Sequence, residues 1–269
     1  MMDEDLAKPT LSKPVVGIGA ALLIAVLAGW YYWTHHGAAA KPPVIAPPPT
    51  AAAAAPPKVE HPLAAPAETP QAPLPELNDS DKAIADAIGG AAPAALQFLV
   101  PENIARHIVV TVDNLARQKV AVDKRPLTPV AGTFIANGDE LHATLDSRNF
   151  RRYVPLVEAV RQADAQRVAA VYLRFYPLLQ TAYQDLGYPT GYFNDRVVKT
   201  IDMLLATPQI TAPIELVRPN VMYVYADPSL ESRPAGQKLL MRMGPDNAAA
   251  IKAKLQELRA IITGTPPRH

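Results

Sequence analysis

The chain has 269 residues, 26 basic and 25 acidic side chains and a formal net charge of +1, so nothing in its overall charge points to nucleic acid or an acidic substrate. It contains no cysteine, which excludes disulfides, thiolate catalysis and cysteine-ligated zinc or iron–sulfur centres. Its 29 prolines are about twice the usual share of ~5%.

Residues 1–14 form a short polar tail with Lys8 and Lys13. Residues 15–33 read VVGIGAALLIAVLAGWYYW, without a formal charge. At ~1.5 Å per residue a helix of that length covers roughly 28 Å, close to the hydrocarbon thickness of a bilayer. Trp30, Tyr31, Tyr32 and Trp33 close it with rings suited to the headgroup layer. The stretch predicts a transmembrane helix with the bilayer as its partner. A cleaved signal peptide is the alternative, with Ala38, Ala39 and Ala40 as a small-residue cleavage site. The apolar run exceeds the usual 7–15 residues of a signal core and ends in aromatics, which favours a retained anchor. Lys8 and Lys13 before it, against Lys41 after it, predict a cytoplasmic N-terminus and an exported C-terminal part. Gly17, Ala21, Ala25 and Gly29 recur every four residues on one helix face, where small side chains let two such helices approach closely and self-associate weakly.

The linker is assigned to residues 34–75. Within it, residues 37–75 contain twelve prolines and thirteen alanines. That composition offers little to bury and favours extended polyproline II, so a spacer that packs on nothing is expected. The globular pattern runs over residues 76–264, with a disordered tail at 265–269. Asp79 or Ser80 suits a helix cap before Ile84 and Ile88, with Gly89 and Gly90 expected to interrupt that helix. Pro93 opens a second piece. Ile104, Ile108, Val112 and Leu115 repeat at helical spacing in a third. Asn137-Gly138 within residues 133–145 signals one short β-hairpin. Helices are then predicted from Asp146 or Ser147, over 165–186 behind Asp164, over 192–206, over 234–243 up to Gly244, and over 245–263 up to Gly264. Pro155 and Pro177 are expected to kink the first two of these. Residues 214–217 and 221–225 read as short strands or extended arms. The fold class is thus mainly α: a single-pass transmembrane helix, a disordered Pro/Ala-rich linker, and a compact α-rich domain with one short β-hairpin.

Val112-Asp113-Asn114-Leu115, FNDRVVKTIDMLLATP (193–208), LVRPNVMYVYADP (216–228) and GQKLLMRMGPDN (236–247) together resemble the bacterial family known as domain of unknown function 3014. The resemblance covers about residues 76–263. It implies a membrane helix, a proline-rich linker and one exported domain, hence a place in the bacterial inner membrane with the domain in the periplasm. It implies no catalytic residue.

Chemistry is sparse in the sequence. His107 and His142 are the only histidines inside the predicted domain, and neither has a partner at metal-ligand spacing. No nucleophile elbow, SxxK motif or phosphate-binding glycine loop occurs. No catalytic residue, metal or cofactor is therefore assigned, and no nucleic-acid partner. Asp195 and Asp202 lie seven apart on one predicted helix, which admits carboxylate-pair chemistry on a glycan. Helix-dipole and ion-pair roles for Asp202 with Arg196 or Lys199 explain them more simply. Arg148, Arg151, Arg152, Arg161 and Arg167 form a basic stretch that reads as a solvated face. Seven of the ten tyrosines fall within residues 172–225. Aromatics with polar tips line binding grooves, and the best site read from the sequence is a groove of Tyr176, Tyr183, Tyr188, Tyr192, Asn194, Asp195 and Arg196. The leading expectation is a non-enzymatic interaction or structural module with an unidentified envelope protein partner. An envelope hydrolase acting on peptidoglycan or another glycan is the alternative.

Overall fold

The computed structural model describes residues 58–63, 72–139, 142–210 and 213–264. All lie in one compact unit, Pro56–His269. The predicted span at 15–33, its small-residue face and the tails at 1–14 and 265–269 lie outside the described residues. Among those described, no helix is long and apolar enough to cross a membrane.

Eight α-helices appear among the described residues: α1 (Asp81–Ala91), α2 (Ile104–Leu115), α3 (Arg148–Gln162), α4 (Ala165–Asp185), α5 (Phe193–Leu205), α6 (Pro228–Glu231), α7 (Ala235–Met243) and α8 (Pro245–Thr263). Their ends follow local chemistry. The Asp164 carboxylate accepts the Arg167 N–H at 3.0 Å and opens α4. Asp227 accepts the Ser229 N–H at 2.7 Å, and Pro228 takes the first position of α6, where no N–H is needed. The start of α2 is capped from a distance. Asp81 of α1 accepts the N–H groups of Asn103 and Ile104 at 2.7 and 2.8 Å. Those are orphan donors at the start of a helix, and one carboxylate satisfies both.

The expected break at Gly89-Gly90 does not occur, because α1 continues through both to Ala91. A β-carbon on Gly89 would stand 2.8 Å from Leu96 Cδ1, so the glycine admits the 3-10 turn Pro93–Phe98 against the helix. Close packing repays the low helix propensity there. Pro155 and Pro177 lie inside unbroken helices.

One hairpin was expected, and four strands are present among the described residues. β1 (Ala136–Asn137), β2 (Ala143–Leu145), β3 (Glu215–Val217) and β4 (Val224–Tyr225) form an antiparallel sheet in that order. Ala136 faces Leu145, Ala143 faces Leu216, and Leu216 faces Tyr225. Gly138, at φ +100°, turns the chain just after β1, as the Asn-Gly signal suggested. β3 and β4 are only three and two residues long, too short for alternation to distinguish a strand from an extended arm. Their partners settle the matter: Leu216 is 1% and Tyr225 2% exposed against Ala143, Leu145 and Met241.

The helical core has three further clusters. Ile84, Ile104, Val109, Phe175, Leu179 and Phe193 pack where α1, α2, α4 and α5 meet. Val157, Leu204, Leu240 and Met243 join α3, α5 and α7. Ala169, Val198, Ile201 and Ile262 join α4, α5 and α8. Helix α5 enters all three, and both Phe193 and Val198 are fully buried. Full burial of such side chains stabilises by about 1.5–3 kcal/mol each.

Packing also corrects the expected spacer within residues 58–63 and 72–75; the rest of the linker, 34–57 and 64–71, lies outside the described residues. Residues 58–63 are hydrogen-bonded to the start of α5, and Leu74 packs on the first core cluster. A proline-punctuated segment is already extended, so ordering it costs less backbone entropy than composition alone suggests.

Candidate functional site

Residues 186–192 connect α4 to α5, with Gly187 at φ +113° just beyond α4. Tyr172, Tyr176, Gln180 and Tyr183 recur at spacings of four, four and three, so they share one face of α4. Gln180 organises the corner. Its Oε1 accepts the Tyr176 hydroxyl at 2.9 Å and the Phe193 N–H at 2.8 Å, and its Nε2 donates to the Gly191 carbonyl at 2.7 Å. One side chain thereby fixes the entry to α5. Gln180 was not singled out in the sequence; its place on the tyrosine face of α4 was the available signal.

The Tyr172 hydroxyl donates to Asn194 Oδ1 at 2.9 Å, and the Tyr176 oxygen accepts the Asn194 N–H at 3.2 Å. The Tyr172 and Tyr176 rings meet edge-on at 5.7 Å, and those of Tyr176 and Tyr192 are tilted at 5.6 Å. Burial pushes the hydroxyls of Tyr172 and Tyr176 above the usual phenol range. Both are therefore neutral donors at any physiological pH, which suits a structural hydrogen bond rather than proton transfer.

The open end of this cluster carries residues 58–63. Asp195 accepts two successive main-chain N–H groups, Glu60 at 3.1 Å through Oδ2 and His61 at 2.7 Å through Oδ1. Asn194 Nδ2 donates to the His61 carbonyl at 2.8 Å, and the Tyr192 hydroxyl oxygen accepts the Leu63 N–H at 3.1 Å. Lys199 Nζ stands 3.0 Å from Glu60 Oε2. Leu63 packs beside Val198, Ile201 and Ile262. Asn194 is fully buried, so its amide is spent between Tyr172 and the bound main chain.

The rest of the predicted groove belongs to a second network, centred on Asp113 of α2. That carboxylate is 3% exposed. Its Oδ1 lies 2.9 Å from Arg196 Nη2 and accepts the Tyr188 hydroxyl at 3.0 Å. Its Oδ2 accepts from Arg117 Nη2 at 2.7 Å. Arg117 also donates to the Tyr188 oxygen at 2.9 Å, and Arg196 to the Asp113 carbonyl at 2.7 Å. Asp113 raises the pKa of Arg117. Tyr183 stacks on Tyr188 at 4.5 Å and 15°.

The seven predicted residues thus fall into two neighbouring sets. Tyr176, Tyr192, Asn194 and Asp195 build the cradle around residues 58–63. Arg196 ties α5 to Asp113 of α2, and Tyr188, in the connection before α5 and stacked with Tyr183, joins the same carboxylate. Consecutive helical residues point about 100° apart, so Asn194, Asp195 and Arg196 serve different partners. Asp202 is held by Arg259 at 2.5 and 3.1 Å, which raises the arginine's pKa. The ion pairs expected within α5 are replaced by Asp202–Arg259, Arg196–Asp113 and Lys199–Glu60. In the basic stretch, Arg148 hydrogen-bonds Asp146, holding that carboxyl at about 2, and Arg152 donates to the carbonyls of Ala131 and Gly132. Among the described residues no three His, Asp or Glu side chains gather closely enough to hold a metal ion.

What this arrangement does chemically is hold main chain. It offers acceptors at the spacing of successive N–H groups, a donor for the intervening carbonyl, a cation for an acidic side chain and an apolar seat. No curated protein and no solved structure matches the chain. Residues 104–259 match the family described as "Protein of unknown function (DUF3014)". That match spans more than half of the chain and includes α5 and the Asp113 network; the chain belongs to the DUF3014 family.

Proposed function

We propose that this protein is a single-pass, membrane-anchored component of the bacterial envelope whose folded unit is a non-enzymatic interaction module. The single observation that carries the interaction reading is the cradle at the start of α5, whose Asp195, Asn194 and Tyr192 are all engaged with the main chain of an extended segment. Asp195 and Asp202, the pair on which a glycan hydrolase would rest, answer instead to separate structural partners. The apolar run at 15–33 supports the anchor, and Lys8 and Lys13 support a cytoplasmic N-terminus with the unit in the periplasm.

A phosphatase active only outside the cytoplasm, fused after Pro75, is expected to be active. An inactive fusion, with a cytoplasm-only reporter active at the same site, would overturn the topology. The anchor's small-residue face adds weak self-association to the proposal. In a membrane two-hybrid assay Gly17→Leu with Gly29→Leu should lower the signal, with Ile18→Leu as control; an unchanged signal removes this face from the proposal.

A further inference from the structure

The segment at 58–63 reads Lys-Val-Glu-His-Pro-Leu and lies on the surface, with Lys58, Val59, Glu60 and Pro62 exposed. Its hold on the domain is specific in a particular way. Four hydrogen bonds engage its main chain: the N–H groups of Glu60, His61 and Leu63 and the carbonyl of His61. Two side chains add selectivity, Glu60 towards Lys199 and Leu63 in the α4–α5–α8 apolar seat. Pro62 sits between the bonded carbonyl and the bonded N–H, where its missing donor costs nothing and its fixed φ keeps the strand extended. Main-chain bonds for affinity with pockets for spaced side chains is how extended peptides are recognised in general.

Resting on the interaction-module reading, we infer that the cleft at the start of α5 is a peptide-recognition site with residues 58–63 as its resident ligand in cis. The ligand it takes in trans is an extended peptide of the same chemistry. It presents two successive N–H groups to Asp195, an acidic side chain to Lys199 and a proline followed by an apolar residue. A partner gains the site by displacing the chain's own segment. The competition is intramolecular. Covalent tethering over a few residues gives the resident segment an effective concentration of the order of millimolar, so a peptide of equal affinity present below that concentration is largely excluded.

The test uses the full-length protein in lipid nanodiscs and a fluorescent hexapeptide, Lys-Val-Glu-His-Pro-Leu. His61→Pro removes the N–H that Asp195 accepts at 2.7 Å and is expected to vacate the cleft. The hexapeptide should bind this variant at least about tenfold more tightly than wild type, the gain expected when a tethered competitor is removed. Adding Asp195→Asn to the vacated protein should weaken binding about tenfold, because the charge-assisted bonds are lost. In wild type the Glu60 and His61 amides should be protected from hydrogen exchange, and Asp195→Ala should remove that protection. Equal peptide affinity for wild type and His61→Pro, or unchanged affinity on adding Asp195→Asn, overturns the inference. A concentration-dependent wild-type dimer that His61→Pro abolishes places a second copy's segment in the cleft and overturns the cis assignment. Peptide failure beside an active exported reporter removes the recognition site alone, whereas peptide binding beside an inactive reporter removes the topology alone.

Discussion

Replacing Asp113 with alanine is expected to destabilise the folded unit by about 3 kcal/mol, the lower end of the cost of breaking a buried ion pair. The carboxylate is almost fully buried and accepts from Arg196, Tyr188 and, just past the end of its own helix, Arg117. Its removal strips Arg196 of its only acidic partner among those described, and the Arg196 Nε is already buried without one. Arg117 is more exposed and recovers water, which is why the loss is placed at the lower end. Asp113→Asn keeps the shape and one acceptor, so it should cost less than the alanine. Urea unfolding of the full-length protein, followed by far-ultraviolet circular dichroism, reads both. A loss below about 1 kcal/mol for Asp113→Ala would mean that the network is merely a solvated surface pair.

Gly244→Ala should be comparably damaging, at about 3 kcal/mol, although alanine is the better former of a helix interior. Gly244 joins α7 to α8 with φ +86° and ψ 160°, a region open in practice only to glycine, and forcing alanine there costs about 1–3 kcal/mol. A β-carbon would also stand 2.5–2.9 Å from three carbons of the Phe150 ring. The ring cannot retreat freely, because it packs on the sheet cluster and the Phe150 carbonyl is bonded to Asn247 Nδ2 at 2.9 Å. Such overpacking adds about 1–3 kcal/mol. Gly264→Ala is the internal control: its φ is +62°, nothing lies within 4 Å, and only the left-handed penalty of about 1–2 kcal/mol applies. Equal losses in the two variants, read by thermal unfolding, would show that the Phe150 contact does not limit the site.

Local features were legible wherever the physics is local. Asp164, Gly244 and Gly264 mark helix ends because a cap or a positive φ acts within a turn of the chain. The clustering of tyrosines with Asn194, Asp195 and Arg196 pointed to the corner where α4 meets α5. The division of labour at that corner was not legible. Asp113 lies more than seventy residues from Tyr188 and its fellow partner Arg196, and its sequence environment marks it only as a polar residue near an apolar stripe. Glu60 and His61 lie more than 130 residues from Asp195, inside a stretch whose composition reads as a spacer.

By itself, then, the sequence determined the helical periodicities, the caps, the absence of cysteine chemistry and the family. Only the tertiary structure decided that four short strands form one sheet, that α5 joins three core clusters, and that part of the linker lies in the cradle. The reason is range. A helix end is settled by groups a few residues apart, whereas a buried carboxylate or an extended strand is stabilised by whatever donors the fold brings to it, and sequence distance carries no record of that meeting.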